Sequence, residues 1–149
     1  MGMKMRGFIP PAGLTLALVL ALFGGGAIVW AGVGWIRDFR SDALRDKCNY
    51  LEYAVRRYGQ SHLAVDTSSE HTDAEGTWRY SMMQTYPASQ SKLSELYDLG
   101  YLAPSIKLED FQSEGSATFY TVNNDQTKYK IEVTLPNGKK YVTPGSSSF

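Results

Sequence analysis

The side chains best suited to chemistry lie between positions 62 and 75. There Asp66, Glu70, His71, Asp73 and Glu75 form the densest set of oxygen and nitrogen donors in the chain, with His62 just ahead of them. A calcium site needs several carboxylates converging on one point, and a dedicated loop supplies them at fixed positions around a glycine. The spacing here matches no such ligand loop. Residues 61–76 therefore read as a solvated polar loop, and no metal ligand set is assigned. Neither His62 nor His71 belongs to a serine or cysteine motif that would pair a nucleophile with its base. Cys48 is the one cysteine, so no intramolecular disulfide can form. Lying in an apolar stripe without a suitably spaced His or second Cys, it reads as a small buried hydrophobe rather than a reactive thiol. No phosphate-binding loop is present. The expectation is a protein without catalytic residues, cofactor, metal or small-molecule substrate.

Fifteen Lys and Arg balance fifteen Asp and Glu in 149 residues. A formal charge of zero gives no electrostatic footprint for nucleic acid, which is excluded as a main partner. The elements that would carry a function are instead set by hydropathy. Residues 7–36 hold no charge and lie between Lys4/Arg6 and the run Arg37, Asp38, Phe39, Arg40. Pro10 and Pro11 suit only the first turn of a helix, so the regular helix is expected from Ala12 to Ile36. That is about 25 residues, or about 37 Å, against a hydrocarbon core of about 30 Å. A membrane-spanning helix is the resulting expectation, with Leu14, Leu16, Leu18, Leu20 and Leu22 supplying much of its apolar surface. Gly24, Gly25 and Gly26 mark either a locally weak or bent segment or a close helix-packing face. Basic residues flank the run on both sides, so their count assigns no orientation. A secretory signal cleaved after Ala31 is the competing reading of the same residues.

Helical periodicity continues beyond the run. Leu44, Cys48, Leu51, Val55 and Tyr58 recur at spacings of four, three, four and three, which puts them on one face. With no proline or turn cluster between Ile36 and Tyr58, one continuous rod is expected, about 70 Å long and stopping near Gly59. Farther on, Ser89 is a candidate N-cap of a short helix whose Leu93, Leu96 and Leu99 form an apolar face, with Gly100 as its stop. Three β-rich runs follow at 117–122, 129–135 and 140–143. They are separated by residues 123–126 and by residues 136–139, the second holding the Asn137-Gly138 pair of tight hairpins. In the middle run Tyr129, Ile131, Val133 and Leu135 alternate with Lys130, Glu132 and Thr134, so one face can cover the helix stripe. The predicted head core joins Leu44, Cys48, Leu51, Val55 and Tyr58 to Leu93, Leu96, Ile131 and Val133.

This order of parts resembles a type IV pilin or type II secretion pseudopilin. Arg6-Gly7-Phe8 is similar to a prepilin peptidase site, and Tyr86-Pro87 through Leu93, Leu96 and Gly100-Tyr101-Leu102 is similar to a pattern common in small pilin-like heads. The resemblance implies an α+β fold in which a long N-terminal helix, half membrane-spanning and half amphipathic, packs on a C-terminal antiparallel sheet of three or more strands. It divides the chain into a basic leader (1–7), a transmembrane or assembly helix (8–36), its amphipathic continuation (37–60), an αβ loop with a short helix (61–104) and a β meander (105–149). Processing would fall at Gly7/Phe8 or, in a second register, at Gly13/Leu14. The segment after Phe8 is Ile9-Pro10-Pro11-Ala12, and the second register puts Leu18 where the family usually has a glutamate. The implied function is a structural subunit held in the inner membrane by a single-pass helix. It then self-associates, or joins related pilin-like subunits, in an extracellular or periplasmic helical filament. The alternatives are a single-pass envelope protein whose head binds a partner, and a secreted domain released after Ala31.

Overall fold

The computed structural model describes residues 11–72, 78–113 and 115–149, with side chains described at 32–66, 81–113 and 115–149. Helix α1 runs Pro11–Ser61 and is followed by an antiparallel hairpin of β1 (Leu63–Thr72) and β2 (Trp78–Gln84). A 3-10 turn at Gln90–Ser94 leads into the short helix α2 (Glu95–Asp98), and a second such turn covers Leu108–Phe111. Strands β3 (Tyr120–Val122), β4 (Tyr129–Thr134) and β5 (Lys140–Val142) form a separate antiparallel sheet in the order β3-β4-β5. The fold is α+β, and it divides into compact units of residues 1–39 and 40–149.

In the first unit the chain is helical from Pro11. The expected membrane-spanning half is not found: among the described residues, no helix is long and apolar enough to cross a membrane. The reason is the charge content of the helix where its side chains are described. From Gly32 onward only five residues, Gly32 to Ile36, precede Arg37, and Asp38 and Arg40 follow within three positions of it. The side chains at Gly13, Leu14, Leu16, Leu18, Leu20, Leu22, Gly24, Gly25 and Gly26 lie outside the described set, as do residues Gly7 and Phe8 altogether. Trp35 and Phe39 are both exposed, with ring centroids 6.4 Å apart.

The second unit is built around the later turns of α1. Cys48, Leu51, Ala54 and Val55 are fully buried, and Leu44 and Tyr58 are partly buried at the margins of the same cluster. Leu93, Leu96, Ile131 and Val133 belong to that cluster too. Burying one such aliphatic side chain contributes about 1.5–3 kcal/mol, so this stripe is the main source of the head's cohesion. Strand β4 alternates buried and half-buried along its whole length, with Tyr129, Ile131 and Val133 inward. Its neighbours fix the register through Tyr120 opposite Ile131 and Tyr141 opposite Val133.

Several local expectations are corrected. The helix does not stop at Gly59 but at Ser61. Gly59 is buried there, and a Cβ on it would lie 2.5 Å from the Tyr86 ring, so its role is close packing rather than termination. The polar segment expected as a loop forms most of the β1–β2 hairpin, paired from Leu63 with Gln84 to Thr72 with Trp78 and irregular between Asp66 and His71. The first β-rich run becomes a strand only from Tyr120. Before it, the Gln90 side chain donates to the Ala117 carbonyl at 2.9 Å and accepts from the Phe119 amide at 2.9 Å, satisfying backbone groups that a strand partner would otherwise take. The Asn137-Gly138 turn is not a two-residue hairpin with positive φ at both residues. Gly138 alone has positive φ (82°); its amide donates to the Leu135 carbonyl, and the Leu135 amide donates to Lys139, both at 2.8 Å. This is a turn closed by a left-handed glycine bulge.

The short helix also differs in detail. It begins as 3-10 turn, and Ser89 supplies no side-chain cap; its hydroxyl meets that of Ser91 instead, at 2.8 Å. The end is well defined, with Gly100 at φ 73°, the Gly100 amide donating to Tyr97 at 3.0 Å and the Tyr101 amide to Leu96 at 2.8 Å. That pair of bonds closes a helix on a left-handed glycine. Leu99, expected on the apolar face, is exposed.

Candidate functional site

Among the described residues, those with chemical potential are not brought together. Asp66 lies at the irregular point of β1, where its carboxylate accepts from the Ser81 hydroxyl at 3.2 Å. His71 is described only as backbone in β1, and the side chains of Glu70, Asp73 and Glu75 lie outside the described residues. Among the described residues no group of three or more His, Cys, Asp or Glu could hold a metal ion. His62 does have a serine beside it: the Ser61 hydroxyl is 3.4 Å from its Nδ1. That nitrogen also lies 2.9 Å from the Tyr58 carbonyl, which can only accept, so Nδ1 carries the proton and cannot take one from Ser61. The imidazole stacks on Tyr58 at 3.8 Å, and Ser61 Oγ bonds Tyr101 Oη at 2.6 Å. The cluster ties the end of α1 to the loop after α2 rather than forming a nucleophile and base.

Cys48 is fully buried, and desolvation pushes its thiol up to about 12. A thiol held that far above neutrality stays protonated and unreactive while the head is folded.

Sequence reasoning missed a buried carboxylate. Glu52 lies on the helix face between Cys48 and Val55 and is almost fully enclosed. Its Oε1 accepts from Tyr129 Oη at 3.0 Å and from the Gly145 amide at 2.6 Å. Burial, followed by the nearby Glu52 charge, raises the Tyr129 phenol, so Tyr129 remains a donor. Gly145 is required by this arrangement, since a Cβ there would collide with Glu52 Oε1 and stand 2.7 Å from Tyr129 Oη. The segment after β5 is fastened further by Ser147 N to the Tyr129 carbonyl at 2.8 Å and Ile131 N to Ser146 Oγ at 2.8 Å. A charge four residues after Cys48, within the apolar stripe, was the signal available in the sequence. Its partners were not visible there, because Tyr129 is 77 positions away and Gly145 is 93.

Two surface features remain. On the outer face of the β3–β5 sheet, Glu132 lies between Lys130 Nζ at 2.5 Å and Lys140 Nζ at 2.9 Å. The hydrogen bonds from Lys130 and then Lys140 hold its carboxyl below the usual range. These three residues, with Phe111 and Phe119, line a hollow of about 270 Å³ whose charges are already internally paired. The second feature is the outward side of α1. Tyr50 and Tyr53 are 63% and 60% exposed, and with Asp46 and Asn49 they border an open groove of about 540 Å³. Arg57 lies against Tyr53 and Tyr101, its guanidinium carbon 5.8 Å and 5.4 Å from the two ring centroids. The geometry offers packing surfaces and no assembled reaction centre among the described residues. No family model, curated protein or solved structure matches the chain.

Proposed function

We propose that this protein is a structural subunit of a type IV pilus-like or pseudopilus filament. In this reading the subunit is held at the inner membrane before assembly, and the N-terminal apolar sequence packs against the same segment of identical or related subunits afterwards. The filament is then extracellular or periplasmic, with the head facing solvent. The observation that supports the reading best is α1 itself. It continues as one helix from Pro11 to Ser61, and its later turns supply the face on which β4 closes. The order of a long helix, a hairpin segment, a short helix and a three-stranded meander adds to the support.

Mechanical shearing of cells that express the chain tests the proposal. Release of the protein into the sheared fraction, as filaments visible by electron microscopy, is the expected result. Complete retention with the cells, and no filament in the sheared fraction, would contradict it.

A further inference from the structure

The outward side of α1 carries a pattern that the head leaves uncovered apart from the contact of Arg57 with Tyr101. Ala43, Asp46, Tyr50, Tyr53, Arg57 and Gln60 are all exposed and recur at spacings of three, four, three, four and three. That is the 3-4 spacing of a coiled-coil seam, here with two large aromatics in the middle and opposite charges, in place of apolar residues, on either side. The seam is also symmetric: Tyr50 and Tyr53, Asp46 and Arg57, and Ala43 and Gln60 are each equidistant from a point between residues 51 and 52. A second copy laid antiparallel about that point would set Tyr50 on the partner's Tyr53, Asp46 on the partner's Arg57 and Ala43 on the partner's Gln60. All three pairs occur twice.

We propose that this face docks a second copy of the same chain, antiparallel and two-fold symmetric. Charge decides the direction. A parallel pair in register would stack Asp46 on Asp46 and Arg57 on Arg57, whereas the antiparallel pair matches opposite charges at both ends. Within one chain Asp46 makes no side-chain hydrogen bond or ion pair among the described residues, so its charge is available to a partner. Arg57 is already held on this face by its contacts with Tyr53 and Tyr101, which reduces the side-chain freedom lost on docking. The groove bounded by positions 46, 49, 50 and 53 has the i, i+3, i+4, i+7 outline of a hole that takes one knob from a facing helix. A two-fold pair closes on itself and does not grow. It is therefore a state distinct from the filament, and the inference does not depend on the filament reading.

The test uses the full chain purified in detergent, with the oligomeric state read by analytical ultracentrifugation. The wild type is expected to form a concentration-dependent dimer. Asp46→Arg alone and Arg57→Asp alone should each weaken it at least about tenfold, and the double exchange should restore it. Because the apolar N-terminal sequence could also associate, cysteine mapping fixes the geometry. A mixture of Asp46→Cys and Arg57→Cys chains should give a disulfide-linked heterodimer on oxidation, while either variant alone gives none. Wild-type Cys48, being buried, serves as the unreactive control. A wild type that is monomeric throughout, a dimer unaffected by the single reversals, or self-crosslinking of Asp46→Cys alone would each overturn the proposal. Circular dichroism of every variant shows whether a loss of dimer is a loss of fold.

Discussion

The β3–β5 sheet and the β1–β2 hairpin are both antiparallel and close together in sequence terms, yet they treat apolar residues in opposite ways. In the sheet, Tyr129, Ile131 and Val133 turn inward on α1 and disappear from solvent. In the hairpin, Leu63 and Val65 on one strand and Met82 opposite Val65 on the other are all about half exposed or more. An isolated two-stranded ribbon is marginal in water because it has no second layer to bury against. Pairing alone therefore does not make a core. The sheet is stabilised by the helix it covers, whereas the hairpin is held by its ladder and by its anchorage at Thr85, whose amide and hydroxyl both donate to the His62 carbonyl.

Side-chain truncation should separate the two regions most clearly. Leu51→Ala, at the centre of the buried stripe, should cost about 2–5 kcal/mol in urea unfolding. Val65→Ala on the hairpin should stay within about 0.5 kcal/mol. Equal costs would remove the distinction. Gly59→Ala comes next, since its Cβ would enter the Tyr86 ring, which itself packs edge-on to Tyr129 at 4.6 Å. Overpacking of that kind costs about 1–3 kcal/mol, and Tyr86→Leu in the same chain should recover part of the loss by making room.

Removing Glu52 by Ala substitution leaves the Tyr129 hydroxyl and the Gly145 amide without their acceptor, at a cost of about 1–3 kcal/mol. Hydrogen exchange should localise the loosening to residues 143–147 and leave the hairpin unchanged.

The electrostatic effect is also small. The carboxyl of Glu132 is lower in the folded head than its ordinary 4.5, so it contributes stability that is present above the unfolded value and lost as pH falls through the folded one. Stability should therefore decline below about pH 4.5, and Glu132→Gln should flatten that part of the profile by less than about 1 kcal/mol, because the pair is partly exposed. Added salt should shrink the difference further.

How much was legible in the sequence follows from the same contrast. The stripe from Leu44 to Tyr58 and the alternation from Tyr129 to Leu135 could be read because burial imposes a period on residue type. The hairpin could not, since Asp66, Ser68, Ser69, Glu70 and Thr72 show no apolar face and the strand is held by backbone pairing. Gly59 carried the ordinary mark of a helix end, but its true constraint is a ring brought to it from Tyr86, a contact no local pattern encodes. The latch of Glu52, Tyr129 and Gly145 was hidden for the same reason. As for the site, the antiparallel symmetry of the outward seam was present in the spacing all along, but only exposure separates a docking seam from a second buried face.

The filament reading is tested most directly by intact-mass and N-terminal analysis of the protein recovered from sheared, assembled material. The expected chain begins at Phe8 or, in the second register, at Leu14, with or without an N-methyl group. Assembled material made of chains that retain Met1, or that begin at Gly32, would contradict it.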